Sequence, residues 1–286
     1  MKNSLFIFAQ HLLPQHLLSR VVGKLASSEN TFVKSRFITW FAGRYQVDMS
    51  EAAEPDLNTY SNFNSFFTRA LKPGARPLAD GPLDVVCPAD GAISQLGTID
   101  ENRIFQAKGK HFTVEALLGG DSELAKAFHG GQFATVYLSP RDYHRVHMPL
   151  AGRLVKTIYV PGKLFSVNKV TAENVDAVFA RNERLVCLFE TEAGPMALVL
   201  VGAMIVAGID TVWAGHICPT SSQQVSTDYH EGQEIMLGKG EEMGRFKLGS
   251  TAIVLFGPNT VELEASLQAD SSVRMGQKLA TIVAAH

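Results

Sequence analysis

The stretch Arg245-Phe246-Lys247-Leu248-Gly249-Ser250-Thr251-Ala252-Ile253-Val254-Leu255-Phe256 runs from a polar approach through a Gly-Ser junction into a β-rich apolar run. A Gly-Ser-Thr tripeptide ordinarily marks a turn entering a strand. The junction also permits chemistry. Glycine has no Cβ, so its carbonyl can be held in a strained geometry and approached closely by the next side chain. A serine hydroxyl placed just after that carbonyl can attack it once a base removes the proton, so the chain can cut itself here.

Outward from this strand, residues beyond about 85 follow a strand period. Thr135–Leu138, Arg153–Val160, Leu185–Phe189, Met196–Ile209, Val212–Ala214, Lys247–Phe256, Val261–Leu263 and Leu279–Val283 are short, rich in β-branched residues and bounded by Gly, Pro or Asn. Two brief helices are predicted at Thr113–Leu118 and Ser122–Phe128, capped by Thr113 and Asp121. No βαβ alternation or repeat occurs. The predicted class is α+β, a mostly antiparallel β sandwich or barrel-like core with N-terminal amphipathic helices. The polar run Pro219–Gly232 reads as a mobile loop just before the Gly-Ser region.

The first 84 residues differ in character and are taken as a separate helical region and connector, with residues 85–286 as a β-rich catalytic domain. Residues 1–47 hold Lys2, Arg20, Lys24, Lys34, Arg36 and Arg44 against Glu29 alone, a charge of +5, so the remainder carries −7 of the net −2. Apolar residues recur there at helical spacing, in runs from Leu5, Leu17 and Phe32, with Pro14 breaking the first. Such helices either pack on their own core or lie on an anionic bilayer, apolar face in and basic face toward the headgroups. Pro14 and the absence of a small-residue cleavage site argue against a secretory signal. Residues 62–71 form a further short amphipathic helix, and Pro73, Gly74, Pro77, Gly81 and Pro82 punctuate a loop.

Hydrophobic content of 46% and charged content of 19% suit a globular fold, and no segment has the apolar length of a spanning helix. Cys87, Cys187 and Cys218 lie far apart without metal-ligand spacing and read as reduced packing residues. Nothing in the charge pattern points to nucleic acid, and a homodimer is compatible with the chain.

Three constellations can carry chemistry. Asp90-Gly91, in Pro88-Ala89-Asp90-Gly91, is by itself a hairpin turn signal. His144 and His147, in Arg141-Asp142-Tyr143-His144-Arg145-Val146-His147-Met148-Pro149, are a metal pair, a catalytic pair or hydrogen-bonded loop residues. A metal would need further ligands that no nearby cluster supplies in sequence. The third is Gly249-Ser250. A serine nucleophile needs a base and the base an orienting carboxylate, which Asp90, one of the two histidines and Ser250 provide in that order.

Taken together, Pro88-Ala89-Asp90-Gly91, Tyr143-His144-Arg145-Val146-His147-Met148-Pro149, Tyr159-Val160-Pro161-Gly162, Phe165-Ser166-Val167-Asn168, Phe179-Ala180-Arg181-Asn182-Glu183-Arg184 and Phe246-Lys247-Leu248-Gly249-Ser250-Thr251 closely resemble the bacterial phosphatidylserine decarboxylase proenzymes, and the likeness runs nearly the length of the chain. The resemblance implies that Ser250 attacks the Gly249 carbonyl with His147 as base and Asp90 holding that histidine's tautomer. The amide becomes an ester, elimination releases the upstream chain, and the dehydroalanine left at 250 hydrolyses to a pyruvoyl group with loss of ammonia. It further implies a long chain 1–249 held to a short chain 250–286, and a pyruvoyl ketone that takes the amino group of phosphatidylserine as a Schiff base, with no metal and no pyridoxal phosphate. His144 would then return a proton to the substrate carbon. The setting implied is peripheral, on the cytoplasmic face of the cell membrane. For the lipid phosphate, the Gly162–Lys169 loop with Ser166 and Asn168 is the expected binding element, as a backbone anion concavity or else an ordinary turn. Two other readings stand beside this one: a metal- or serine-dependent hydrolase using His144 and His147, and a non-catalytic module that binds anionic lipid.

Overall fold

The computed structural model describes residues 2–204, 208–217, 223–229, 234–247 and 250–283. Helices come first. α1 (Lys2–Leu12) and α2 (Gln15–Ala26) separate at Pro14, as a residue without an N–H dictates. α3 (Thr31–Tyr45) begins where the Asn30 side chain accepts from the Phe32 and Val33 amides at 3.1 and 3.3 Å. α4 (Phe63–Phe67) carries a reciprocal cap between Asn62 and Ser65. Its Phe63, Phe66 and Phe67 pack with Ile38 and Phe41 of α3 into a small aromatic core of their own.

The strands begin with β1 (Asp84–Val86), β2 (Gly91–Thr98), β3 (Arg103–Ala107) and β4 (Lys110–Thr113). The short helices α5 (Val114–Leu117) and α6 (Ser122–Lys126) follow, capped by Thr113 and Asp121 as expected. Next come β5 (Gln132–Leu138), β6 (Arg145–His147), β7 (Gly152–Val160), the helices α7 (Lys169–Asn174) and α8 (Val178–Arg181), β8 (Arg184–Thr191) and β9 (Gly194–Gly202). The chain continues through β10 (Gly208–Thr211), β11 (Gly215–Ile217), β12 (Val225–Asp228), β13 (Met236–Leu237), β14 (Glu242–Lys247), β15 (Ser250–Phe256), β16 (Val261–Leu263), β17 (Ser272–Val273) and β18 (Lys278–Ile282).

One antiparallel sheet of nine strands dominates, in the order β12-β7-β8-β9-β15-β5-β2-β17 with β13 also on β7. A four-stranded sheet, β11-β10-β14-β6, packs on one face of it, and a three-stranded sheet, β1-β18-β16, lies alongside. Among the described residues no sheet closes into a barrel, so the class is α+β with antiparallel sheets.

β15 lies inside the large sheet, paired with β9 on one side and β5 on the other along its whole length. Ala252, Val254 and Phe256 enter the core beneath the four-stranded sheet, while Ile253 and Leu255 enter the core on the opposite face. Both faces are covered, which is why the strand reads as a continuous apolar run and not as an alternation. Burying each such side chain contributes roughly 1.5–3 kcal/mol.

Several expectations are corrected. Met196–Ile209 is two strands in different sheets, β9 and β10, with residues 205–207 outside the described set. Val212–Ala214 is the turn of the β10–β11 hairpin, its β-branched residue notwithstanding, because Thr211 pairs with Gly215 across it. Within Pro219–Gly232, Val225–Asp228 forms the edge strand β12 on β7; residues 218–222 and 230–233 lie outside the described set. Asp90-Gly91 is no hairpin turn. Gly91 opens β2 at φ +154°, where a Cβ would stand 2.2 Å from the Tyr137 carbonyl oxygen, so the close approach requires glycine.

The N-terminal helices are arranged in an unexpected way. Much of their buried face is polar: Gln10, Gln15 and Ser19 are inside beside Ala26, while Phe8 at 61% and Leu12 at 69% are exposed, together with Leu17 and Val21. The reason lies beneath them. Gln10 Oε1 accepts from the Ser166 amide and Gln15 Oε1 from the Leu164 amide, both at 2.8 Å, so two loop donors that would otherwise be orphaned are satisfied. Among the described residues no helix is long and apolar enough to cross a membrane.

Candidate active site

Ser250 is the first residue of β15, opposite Leu138 on one side and Gly202 on the other. It is fully buried, and its Oγ has no hydrogen-bond partner among the described residues. Alternation along the strand places it on the face of Ala252 and Val254, the face covered by Val146, Met148 and Phe246. Leu248 and Gly249 lie outside the described residues.

His144 belongs to the same layer. Its carbonyl accepts from the Phe246 amide at 3.0 Å, four residues before Ser250. The ring stacks on Phe67 of α4 with centroids 3.9 Å apart, and Nδ1 donates to the Asp142 carbonyl at 2.8 Å. A carbonyl only accepts, so Nδ1 carries the hydrogen and Nε2 presents a lone pair. That Nε2 is buried without a partner. Desolvation holds the imidazole at about 3, so it is neutral at ordinary pH. Buried polar atoms left unpaired are costly and rare, and among the described residues Ser250 Oγ, at the head of β15, and His144 Nε2, just before β6, are a donor and an acceptor so left.

His147 is positioned differently. Its amide donates to the Pro88 carbonyl at 2.8 Å and its Nδ1 to the Gly240 carbonyl at 2.9 Å, while Tyr143 Oη donates to Nε2 at 3.0 Å. Burial lowers its pKa as well. Its tautomer is therefore held by Gly240 and not by Asp90 as expected. Asp90 is engaged elsewhere: Arg76 Nε and Nη2 reach its two oxygens at 2.9 and 2.5 Å, and the Met275 amide donates to Oδ1 at 2.8 Å. A forked guanidinium matches a carboxylate better than one imidazole N–H can, and Arg76 also binds Glu51 at 2.8 Å. Asp90 and His147 are thus neighbours through Pro88 without sharing a hydrogen bond among the described contacts.

The Gly162–Lys169 loop comes to the same strand ends. Asn182 Nδ2 donates to the carbonyls of Phe165 and Gly202 at 2.8 Å each, tying the loop to the residue opposite Ser250. Several of its backbone donors are already used, however. Leu164 and Ser166 give theirs to Gln15 and Gln10, Phe165 to Asn182 Oδ1 at 3.1 Å, and Asn168 to Ser166 Oγ at 3.4 Å. Asn168 caps α7, accepting from the Thr171 amide at 3.0 Å. Side chains thus take the Leu164, Phe165, Ser166 and Asn168 amides of the loop expected to hold an anion. No group of three His, Cys, Asp or Glu side chains placed to hold a metal occurs among the described residues.

With this geometry the motifs can be compared with known proteins. The phosphatidylserine decarboxylase profile matches residues 63–281, and a second profile, PSD, matches residues 5–46. A phosphatidylserine decarboxylase proenzyme of Pseudomonas putida is 62% identical over 287 residues, covering 100% of both chains. One from Pseudomonas aeruginosa is 64% identical over 281 residues, covering 98% of this chain and 97% of its own. The chain belongs to the phosphatidylserine decarboxylase family.

For this family member the sequence reading missed Arg76, Tyr143 and Gly240 as partners of the site. Tyr143 stood inside the quoted histidine motif, four residues before His147, a spacing that only the turn into β6 makes a contact. Arg76 sat in a Pro- and Gly-punctuated connector, and no local pattern says that such an arginine reaches Asp90. Cys87 and Cys187 are buried packing residues, with desolvation pushing the Cys87 thiol up to about 12, and Cys218 lies outside the described residues.

Proposed function

We propose that this family member decarboxylates phosphatidylserine to phosphatidylethanolamine after cutting itself between Gly249 and Ser250, with residue 250 converted to a pyruvoyl group. The observation that carries the reading is the buried Ser250 Oγ at the head of the central strand, which like His144 Nε2 has no hydrogen-bond partner among the described residues. The residues around position 250 suit a small carbonyl group there: the serine makes no hydrogen bond that its loss would break, and no charged side chain pairs with it. When present, the pyruvoyl carbonyl supplies an electron sink for the substrate amine as carbon dioxide leaves.

In the cleavage step His147 is assigned as the base for Ser250, with Asp90 and its Arg76 clamp supporting that wall of the site. The neutral Nδ1–H tautomer leaves Nε2 with the lone pair a base needs, and Tyr143 Oη is the group that lends it a hydrogen at rest. His144 is assigned to the decarboxylation. The free Nε2 can accept a hydrogen bond from the substrate amine. Because burial disfavours the charged ring, an imidazolium formed there as that amine loses its proton readily gives the proton to the substrate carbon after carbon dioxide departs. Replacing each histidine separately tests the division. His147→Ala is expected to stay uncut, and His144→Ala to be cut but inactive; the reverse pattern exchanges the two roles.

After cleavage, the proposed chains 1–249 and 250–286 stay together because β15 is laddered to β5 and β9, β17 to β2 and β18 to β1. Residues 1–84 are proposed as the membrane-associating region and connector of a peripheral enzyme at the cytoplasmic membrane face, ahead of the catalytic domain 85–286. The exposed Phe8, Leu12, Leu17, Val21, Phe32 and Trp40, set among basic residues, support this reading.

A further inference from the structure

The phosphate of a phospholipid headgroup needs donors, and the loop expected to supply them has given its Leu164, Phe165 and Ser166 amides to Gln15, Asn182 and Gln10. A different donor stands unused. Arg69, two residues past α4, is only 4% exposed, and its Nε and Nη1 have no partner among the described residues. Nη2 donates to the Arg141 carbonyl at 3.2 Å, and the guanidinium lies 5.8 Å from the Phe66 ring centre. A guanidinium cannot shed its charge in a protein, so burial without an anion is unfavourable.

Arg69 lines a cavity of about 270 Å³ shared with Arg76, Arg141, Arg274, Asp142 and Tyr143. The acidic groups of this cavity already have partners. Glu51 binds Arg76 and Arg274 at 2.8 and 3.0 Å, and Asp90 binds Arg76. Asp48 accepts from the Ser50 amide, and Asp142 accepts from the Ser139 amide at 2.7 Å and stands 3.9 Å from Arg141. Among the described residues of the cavity, Arg69 is the cation left without a carboxylate. The cavity also adjoins the chemistry: the Asp142 carbonyl holds His144, and Tyr143 Oη holds His147.

We propose that Arg69, with Arg141 at the rim, binds the phosphodiester oxygens of the substrate headgroup, an inference that rests on the decarboxylase reading above. The two anionic groups of that headgroup are not equivalent for this purpose. An arginine clamped on the leaving carboxylate would stabilise the ground state and oppose its loss. The phosphodiester keeps its charge from substrate to product, so a contact there contributes equally throughout the reaction. Arg69 therefore acts on KM and not on kcat.

The test uses the full chain, as wild type and as Arg69→Gln, Arg69→Lys and Arg141→Gln. Intact mass first reads self-cleavage, which scores that reading independently of this one. Calorimetric titration with inorganic phosphate and with glycerophosphoethanolamine then reads the cavity without turnover, and phosphatidylserine in mixed micelles gives KM and kcat. Losing a charge-assisted contact is expected to raise KM and the glycerophosphoethanolamine dissociation constant together by about tenfold or more in Arg69→Gln, with kcat within about threefold. Arg69→Lys should fall between, and Arg141→Gln should weaken both by about threefold. A fall in kcat at unchanged KM, or equal glycerophosphoethanolamine binding by wild type and Arg69→Gln, overturns the proposal. Arg69-dependent binding of inorganic phosphate with an unmoved lipid KM would make the cavity a free-anion site and overturn the headgroup assignment. Should Arg69→Gln fail to fold, competition in wild type decides: glycerophosphoethanolamine must compete with lipid and Arg141→Gln must weaken it, and failure of either overturns the proposal.

Discussion

β15 and the helix pair α1–α2 are both rich in apolar residues, and the structure disposes of them in opposite ways. In β15 every residue from Ser250 to Phe256 is buried, with one core on each face. In α1–α2 the glutamines are inside and Phe8, Leu12, Leu17 and Val21 face outward. The difference shows that apolar content does not by itself say where a segment goes. β15 has two neighbouring strands to satisfy its backbone and two layers to cover its side chains. The helices satisfy their own backbones, and what the underlying loop asks of them is acceptors for its amides, which glutamine provides. Their apolar residues are then left for another surface, which the proposed function takes to be lipid.

The largest expected effect lies at the one polar end of the buried strand. Ser250→Ala removes the nucleophile while keeping the shape, so both self-cleavage and release of carbon dioxide should vanish, read by intact mass and trapped carbon dioxide. Any cleaved product from this variant would break the account of β15. The next test contrasts the two regions directly. Ile253→Ala should lower stability by about 2–5 kcal/mol, as a buried truncation does. Leu17→Ser should stay within about 0.5 kcal/mol in denaturant unfolding, because that side chain faces out. Similar losses for both would mean that the helix face is covered in solution.

Deleting residues 1–26 sharpens the same contrast. Liposome sedimentation should fall more than self-cleavage does. Unchanged sedimentation would rule out an anchoring role for those residues, and lost cleavage would show that Gln10 and Gln15 are needed to order the loop beside Gly202.

A further effect is one of pH. His144 is held at about 3 against an ordinary 6.5, with desolvation as the main cause, and His147 is lowered in the same direction. Below 6.5 the unfolded chain binds protons that the folded chain refuses, so stability is full above that pH and declines as it falls toward 3. His144→Asn should flatten part of this slope in urea midpoints taken between pH 7 and pH 4. An identical slope in the variant would show that His144 titrates freely.

What could be read in advance follows from these physical differences. The break at Pro14 and the caps at Thr113 and Asp121 are local signals that appear where the residues placed them, whereas the strand expected over Lys247–Phe256 begins at Ser250, Lys247 being the end of β14. Ser250, His144 and His147 stood out as candidates because reactive residue types stood in dense motifs. The partners of Asp90 were not, since Arg76 reaches it across a turn-rich connector and Met275 from the far end of the chain. Gly240 was equally hidden, because a backbone carbonyl leaves no mark on residue type. Glutamines facing inward defeat a reading by hydrophobic period, which places apolar residues inside by default.

The account turns on the bond before Ser250, and an intact-mass spectrum of the purified chain under denaturing conditions addresses it most directly. Two species, residues 1–249 and a pyruvoyl-started 250–286, are the expected result. A single full-length species that persists after long incubation with phosphatidylserine vesicles would leave Ser250 an ordinary serine and contradict the account.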